Sequence, residues 1–313
     1  MTGLKDIKNR IKSVSSTHKL TSAMRLIATA KLRHTMAALT YIRNYENTLI
    51  DSIKWANFNS IREIRENFSD FFPKFFFEAD NTKPHAVLVI GSNRGLCGNY
   101  NLTIIREALA FAQSQKKNQS NIRFIPLTYK TSEYFLKHEK DCTGNIPGLG
   151  FNNKASNIDL ASIVLNQAIN WLKDGDWGAV SIIYGKFINA LFQKAEYIPL
   201  FPFFDEKMEF FWEKRKNFDK NEAKIENPPN IEPSQENILP SLIYSLAYLK
   251  ICRAFVESET CEHAARMTIM EGAKKNAESL IDTLTLQYNR TRQANITGEL
   301  IEIIAGTNAM AQE

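Results

Sequence analysis

The chain has 313 residues, 44% hydrophobic and 23% charged, the balance of a folded globular protein with room for one large or two small domains. Its four cysteines, Cys97, Cys142, Cys252 and Cys261, form no CxxC pair, which points to a reduced, intracellular compartment and away from a disulfide framework. The net charge of +5 hides an asymmetry: residues 1–45 carry nine Lys and Arg against Asp6 alone, so this segment is strongly basic and the remainder mildly acidic.

The first segment, 1–58, reads as one helix. Leu4, Ile7, Ile11, Val14, His18 and Thr21 alternate at three and four residues, an apolar seam that drifts toward Met24, Ile27 and Ala28. Thr2 is a candidate cap, and His18 reads as a packed seam residue. No glycine or proline interrupts the pattern between Leu4 and Phe58, which gives a rod of roughly 80 Å that should project from any domain of this size. Its basic charge suits an acidic partner, whether nucleic acid, anionic lipid or acidic protein, or else a solvated face.

Residues 59–85 hold FSDFFPKFFFEADNTKPH and read as an aromatic-rich bridge whose course the sequence leaves open. From 86 the period changes. AVLVI (86–90), RFIPLT (123–128), AVSIIYG (179–185) and 194–201 read as strands, and 102–113, 131–138 and 158–172 as helices, so 86–212 is expected to be a Rossmann-like α/β domain. The turn GSNRGLCGNYN after the first strand invites a phosphate-loop reading, because such turns aim backbone N–H groups at an anion. Leu96, Cys97 and Gly98 stand where the gripping Lys and Ser or Thr would be, and a tight strand-to-helix turn is the better reading.

Residues 213–240 are polar with Pro228, Pro229, Pro233 and Pro240, a linker composition. A second long helix is expected over 241–313, starting near Pro240. Its richest apolar stretch, Leu242 to Val256, is broken by Lys250 and Arg253, so no membrane span is expected. Cys261 and His263 lack the further ligands a zinc site needs. Met270, Ala273, Ala277, Leu280 and Leu284 form a seam that wants a partner helix. Arg292, Gln293, Thr297 and Glu299 are polar, and Leu300, Ile301, Ile303 and Ile304 make the tip apolar on several sides, as if enclosed. The fold class is therefore α/β, with a long antiparallel coiled coil formed by the terminal helices around an inserted α/β domain.

AARMTIMEGAKKNAESLIDTLTLQYNRTRQANITGELIEIIAG and LKDIKNRIKSVSSTHKLTSAMRLIATAKLR resemble the C- and N-terminal helices of the gamma subunit family of F-type ATP synthases. The RGLCG turn is similar to that family's as well. The resemblance implies a non-catalytic, rotating central stalk without cofactor or bound small molecule. It would couple transmembrane proton flow to conformational changes in catalytic beta subunits, and work in reverse as an ATP-driven pump. Implied partners are the hexameric ring of alpha and beta subunits, the epsilon subunit and the membrane ring of c subunits. Carried over residue by residue, Arg292, Gln293, Thr297 and Glu299 would meet loops of the ring, and Met24 and Arg266 would lie near the rotor's contact with an acidic helix-turn-helix of beta. Gly298 departs from the longer polar residue common there, and predicts a locally softer helix. With Met1 directly before the shaft helix, the cytoplasmic face of a bacterial inner membrane is the expected location.

Two other classes stand beside this. A basic coiled-coil protein that binds nucleic acid would show steeply salt-dependent DNA affinity, although aromatic side chains do not interleave the basic ones. An enzyme built on the α/β domain would bind ATP by itself, but the Lys-Ser/Thr pair is missing.

Overall fold

The structure, a computed structural model, describes residues 3–55, 64, 69–116, 121–138, 142, 157–204, 232 and 234–310. Thr2 and residues 205–231 lie outside these, and with them the proposed cap and most of the polar linker. The elements are α1 (Leu4–Trp55), two 3-10 turns (Ser69–Phe71 and Lys74–Phe76), β1 (His85–Val89), α2 (Tyr100–Lys116), β2 (Ile122–Pro126), α3 (Tyr129–His138), α4 (Asn157–Lys173), β3 (Ala179–Phe187), β4 (Gln193–Phe201) and α5 (Gln235–Met310). The chain divides into two compact units, Lys31–Ala265 and Met1–Ala30 with Arg266–Glu313.

In the larger unit the strands form one sheet of order β2-β1-β3-β4. β1 is parallel to both β2 and β3, and β4 closes the edge antiparallel to β3. Alternation along β1 assigns the faces. Ala86, Leu88 and Ile90 join Val180, Ile182 and Tyr184 under α4, the first third of α5 and the end of α1. Val87, Val89 and Ile183 join the other core, made by Tyr100, Ile104, Ile105 and Ala108 of α2 with Phe135 of α3. A sheet buried on both faces explains why its strands read as almost uninterrupted apolar runs.

The phenylalanine-rich bridge packs onto the end of β4. The Phe76 carbonyl accepts hydrogen bonds from the amides of Phe203 and Phe204, and the Phe76 ring meets Phe201 edge-on at 5.0 Å and Tyr244 at 5.2 Å. The second long helix begins earlier than its sequence suggested: α5 starts at Gln235, and Pro240 lies inside it. Leu239 and Ile243 on either side are fully buried, and their burial offsets the hydrogen bond that proline cannot donate.

The apolar stretch of the second long helix is a core segment. Within Ile238–Ala305 a window of 18 residues reaches mean hydropathy 1.3, apolar and long enough to cross a membrane by that measure, and half of it is buried inside the protein. The burial is against the sheet, through Ile243, Leu246, Ala247 and Ile251.

In the smaller unit, α1 and α5 run antiparallel. His18 Nε2 is 3.0 Å from Glu278 Oε1, and Arg25 Nε is 3.1 Å from Glu271 Oε2. Seven residues forward on one helix thus meet seven residues back on the other. Burial follows heptads: Ile7, Thr21 and Ala28 on α1, and Met270, Ala277 and Leu284 on α5. Leu280, expected in the seam, is 47% exposed.

Candidate functional site

The smaller unit carries the residues singled out in the sequence. On the register set by the His18–Glu278 and Arg25–Glu271 contacts, Leu4, the first residue of α1, stands level with Arg292. Among the described residues, α5 therefore continues beyond that point as a single helix. Arg292, Gln293, Thr297 and Glu299 are exposed along it, and Arg292 and Glu299, seven apart, share one face. Leu300, Ile301, Ile303 and Ile304 are each more than half exposed, a contiguous apolar tip uncovered by any described residue of the chain. At Gly298 an added Cβ would touch nothing within 4 Å. Met24 is half-buried and Arg266 is buried. The register sets them about 9 Å apart along the axis, so the fold places both on the pair without bringing them into one cluster. His18, read as a seam residue, hydrogen-bonds Glu278 across the helices, and this bond holds the Glu278 carboxyl below the usual carboxylate range.

The larger unit shows how α5 is fastened to the sheet, which sequence reasoning missed. The Tyr100 hydroxyl is 2.6 Å from Ser258 Oγ and 3.1 Å from the Ser258 carbonyl. Ser258 Oγ in turn reaches the carbonyls of Ile90 and Gly91 at the end of β1, both at 3.1 Å. One turn on, Cys261 Sγ donates to the Gly185 carbonyl of β3 at 3.2 Å. Burial pushes the Tyr100 hydroxyl and the Cys261 thiol well up, so both stay protonated. The signal in the sequence was the polar run Glu257-Ser258-Glu259-Thr260 directly after the apolar stretch Leu242 to Val256.

Beside these, Glu257 is fully buried. Its Oε1 accepts from Arg43 Nη2 at 2.6 Å and Arg253 Nε at 3.1 Å, while Arg253 Nη1 reaches Glu46 Oε2 at 3.0 Å. Burial lowers the Arg253 pKa, but Glu46 and Glu257 outweigh it and the net shift is upward. Glu259 is drawn below the usual range by His263 and by Asn157, which donates to it at 2.8 Å.

Two amides at the start of the glycine turn are taken up by side chains. The Gly91 amide bonds Thr128 Oγ1, the Ser92 amide bonds Asn101 Oδ1, and Asn101 Nδ2 returns a bond to Ser92 Oγ. These two N–H groups are therefore not directed at an anion.

A family model described as ATP synthase matches residues 3–310. This chain belongs to the ATP synthase gamma family. The ATP synthase gamma chain of Salinibacter ruber is 30% identical over 317 residues, covering 100% of this chain and 99% of the relative. That of Clostridium perfringens is 32% identical over 98% of each. Among solved structures, the rotor of Euglena gracilis mitochondrial ATP synthase in rotational state 1 covers 94% of this chain and 98% of its own, with TM-score 0.57 and 18% identity. The central stalk and c-ring structure from Tetrahymena thermophila has TM-score 0.52 at 21% identity, covering 81% of this chain and 99% of its own. At these identities the likeness is one of fold: gamma-family α/β domain and long terminal helices.

Proposed function

We propose that this gamma-family chain is the rotating central stalk of an ATP synthase. The observation that carries the reading is the single-helix end of α5, where an exposed apolar tip follows a polar band of Arg292, Gln293, Thr297 and Glu299. Such an end calls for an enclosing partner. A ring of alpha and beta subunits supplies the enclosure, and the epsilon subunit and the c ring are the partners left for the α/β domain. These assemblies fit the rotor, F1 and c-ring structures whose fold the chain shares.

The mechanism is conformational. Ion flow turns the stalk, and its asymmetric surface favours one state of each beta subunit over another as it passes. Driven by ATP, the same differential contacts turn the stalk in reverse. The chain itself does no bond chemistry in this reading, and its place is on the cytoplasmic face of a bacterial inner membrane. Part of the basic charge of α1 is met inside the chain, by Glu271 and Glu257, which weakens the case for nucleic acid.

Reconstitution tests the reading. The purified chain should leave ATP intact, join its cognate alpha and beta subunits at one copy per hexamer, and raise their turnover. A chain that never joins the hexamer, or hydrolyses ATP alone, overturns it.

A further inference from the structure

Four charged groups meet where α1 and α5 pass the sheet, and each helix contributes one acid and one base. Arg43 and Glu46 lie three apart on α1; Arg253 and Glu257 lie four apart on α5. The pairing is crossed, Arg43 with Glu257 and Glu46 with Arg253, as antiparallel helices require. Glu257 is fully buried, and its second oxygen, Oε2, has no hydrogen-bond partner among the described residues.

Apolar contacts between helices are non-directional and tolerate sliding, whereas buried charges are specific about register. A slip of one turn in one direction sets Glu46 against Glu257. A slip the other way sets Arg43 against Arg253. Glu257 is fully buried and Glu46 nearly so, so the first slip sets like charges together away from water and is strongly penalised. In the second, Arg43 is 41% exposed and the repulsion is partly screened, so that register is penalised less. The same turn of α5 is tied to the sheet through Ser258, with the Ile90 and Gly91 carbonyls, and through Cys261 with Gly185. Glu257 thus sits where α1, α5 and the sheet are locked to one another.

We propose that Glu257 is a positioning residue for torque: with Arg43, Arg253 and Glu46 it holds the two helices in one register against the α/β domain, so that a turning moment passes between them without slip. The proposal rests on the rotor reading. It predicts that loss of the lock shows only when the stalk works against a load.

The test uses the complete synthase in vesicles, comparing ATP hydrolysis in uncoupled vesicles with ATP-driven uptake of protons or sodium ions. Two variants are made, Glu257→Gln, which is isosteric, and Arg43→Met with Glu257→Met, which removes the buried charge together with its half-exposed partner and keeps side chains of similar length. Both should assemble and hydrolyse ATP at close to the parent rate when unloaded. The ratio of ion uptake to hydrolysis should fall about tenfold, the population change expected when one buried charge-assisted hydrogen bond is lost. If an assembled variant keeps the parent ratio, or if uptake and hydrolysis fall together, the assignment of Glu257 is wrong. If the unaltered complex neither contains the chain nor pumps, the rotor reading itself fails.

Discussion

Gly185 and Tyr100 interlock: a Cβ on residue 185 would lie 2.5 Å from the Tyr100 hydroxyl oxygen and 2.6 Å from its ring. The absent side chain lets the phenol pass over β3 and reach Ser258 of α5. Gly185→Ala should displace that ring and cost about 1–3 kcal/mol of stability, as overpacking does. Tyr100→Phe keeps the ring and loses the hydroxyl, at about 1 kcal/mol. Urea unfolding of the purified chain checks both, and equal midpoints for Gly185→Ala and the parent would refute the interlock.

Acid should weaken the larger unit through His85. Burial holds this imidazole at a pKa of about 4 against an ordinary 6.5, with its Nε2 2.7 Å from Ser181 Oγ and its ring edge-on to Phe111. Between those values the unfolded chain binds the proton and the folded one does not. Stability is therefore complete above pH 6.5 and falls by about 1.4 kcal/mol per pH unit down to about 4. Urea midpoints measured from pH 7.5 to 4.5 should fall less steeply for His85→Gln than for the parent. Parallel curves would show that His85 does not titrate in this way.

Gly298→Ala should stiffen the end of α5. The added methyl meets nothing within 4 Å, and alanine favours a helix over glycine by about 1 kcal/mol. Amide hydrogen exchange of residues 295–302 should slow in the variant. Unchanged exchange in the assembled complex would remove the idea that this turn is soft.

Arg292→Ala and Gln293→Ala should separate folding from coupling. Both side chains are exposed, so the melting of the chain should hardly move, within about 0.5 kcal/mol. ATP hydrolysis by the reconstituted complex should drop. A drop in melting temperature with turnover intact would mean that these residues serve the chain's own fold.

Much of this architecture was legible in one dimension. The change from a three-four period to short apolar runs at Ala86 located the sheet: AVLVI, read as 86–90, is the strand His85–Val89, and the helix read over 158–172 is Asn157–Lys173. Periodicity reports local conformation, and these elements bury whole faces, so pattern and structure agree. Leu280 shows where the pattern misleads. It fits a three-four seam, but two helices in a heptad register bury Met270, Ala277 and Leu284 and leave it partly outside. The start of α5 was misplaced by several residues because Pro240 reads locally as a first-turn residue, whereas the packing of Leu239 and Ile243 carries the helix through it.

By itself the sequence determined the two long helices, the α/β unit between them, the polar band from Arg292 to Glu299 and the apolar tip, because each is written in neighbouring residues. Tertiary structure alone decided that β4 pairs antiparallel at the sheet edge, that Gly185 is small for the sake of Tyr100, and that Glu257 is a buried partner of Arg43, 214 residues away in the chain. A glutamate in a helix reads as solvated until the elements that would cover it are in place, and those come from segments whose separation no local pattern can encode.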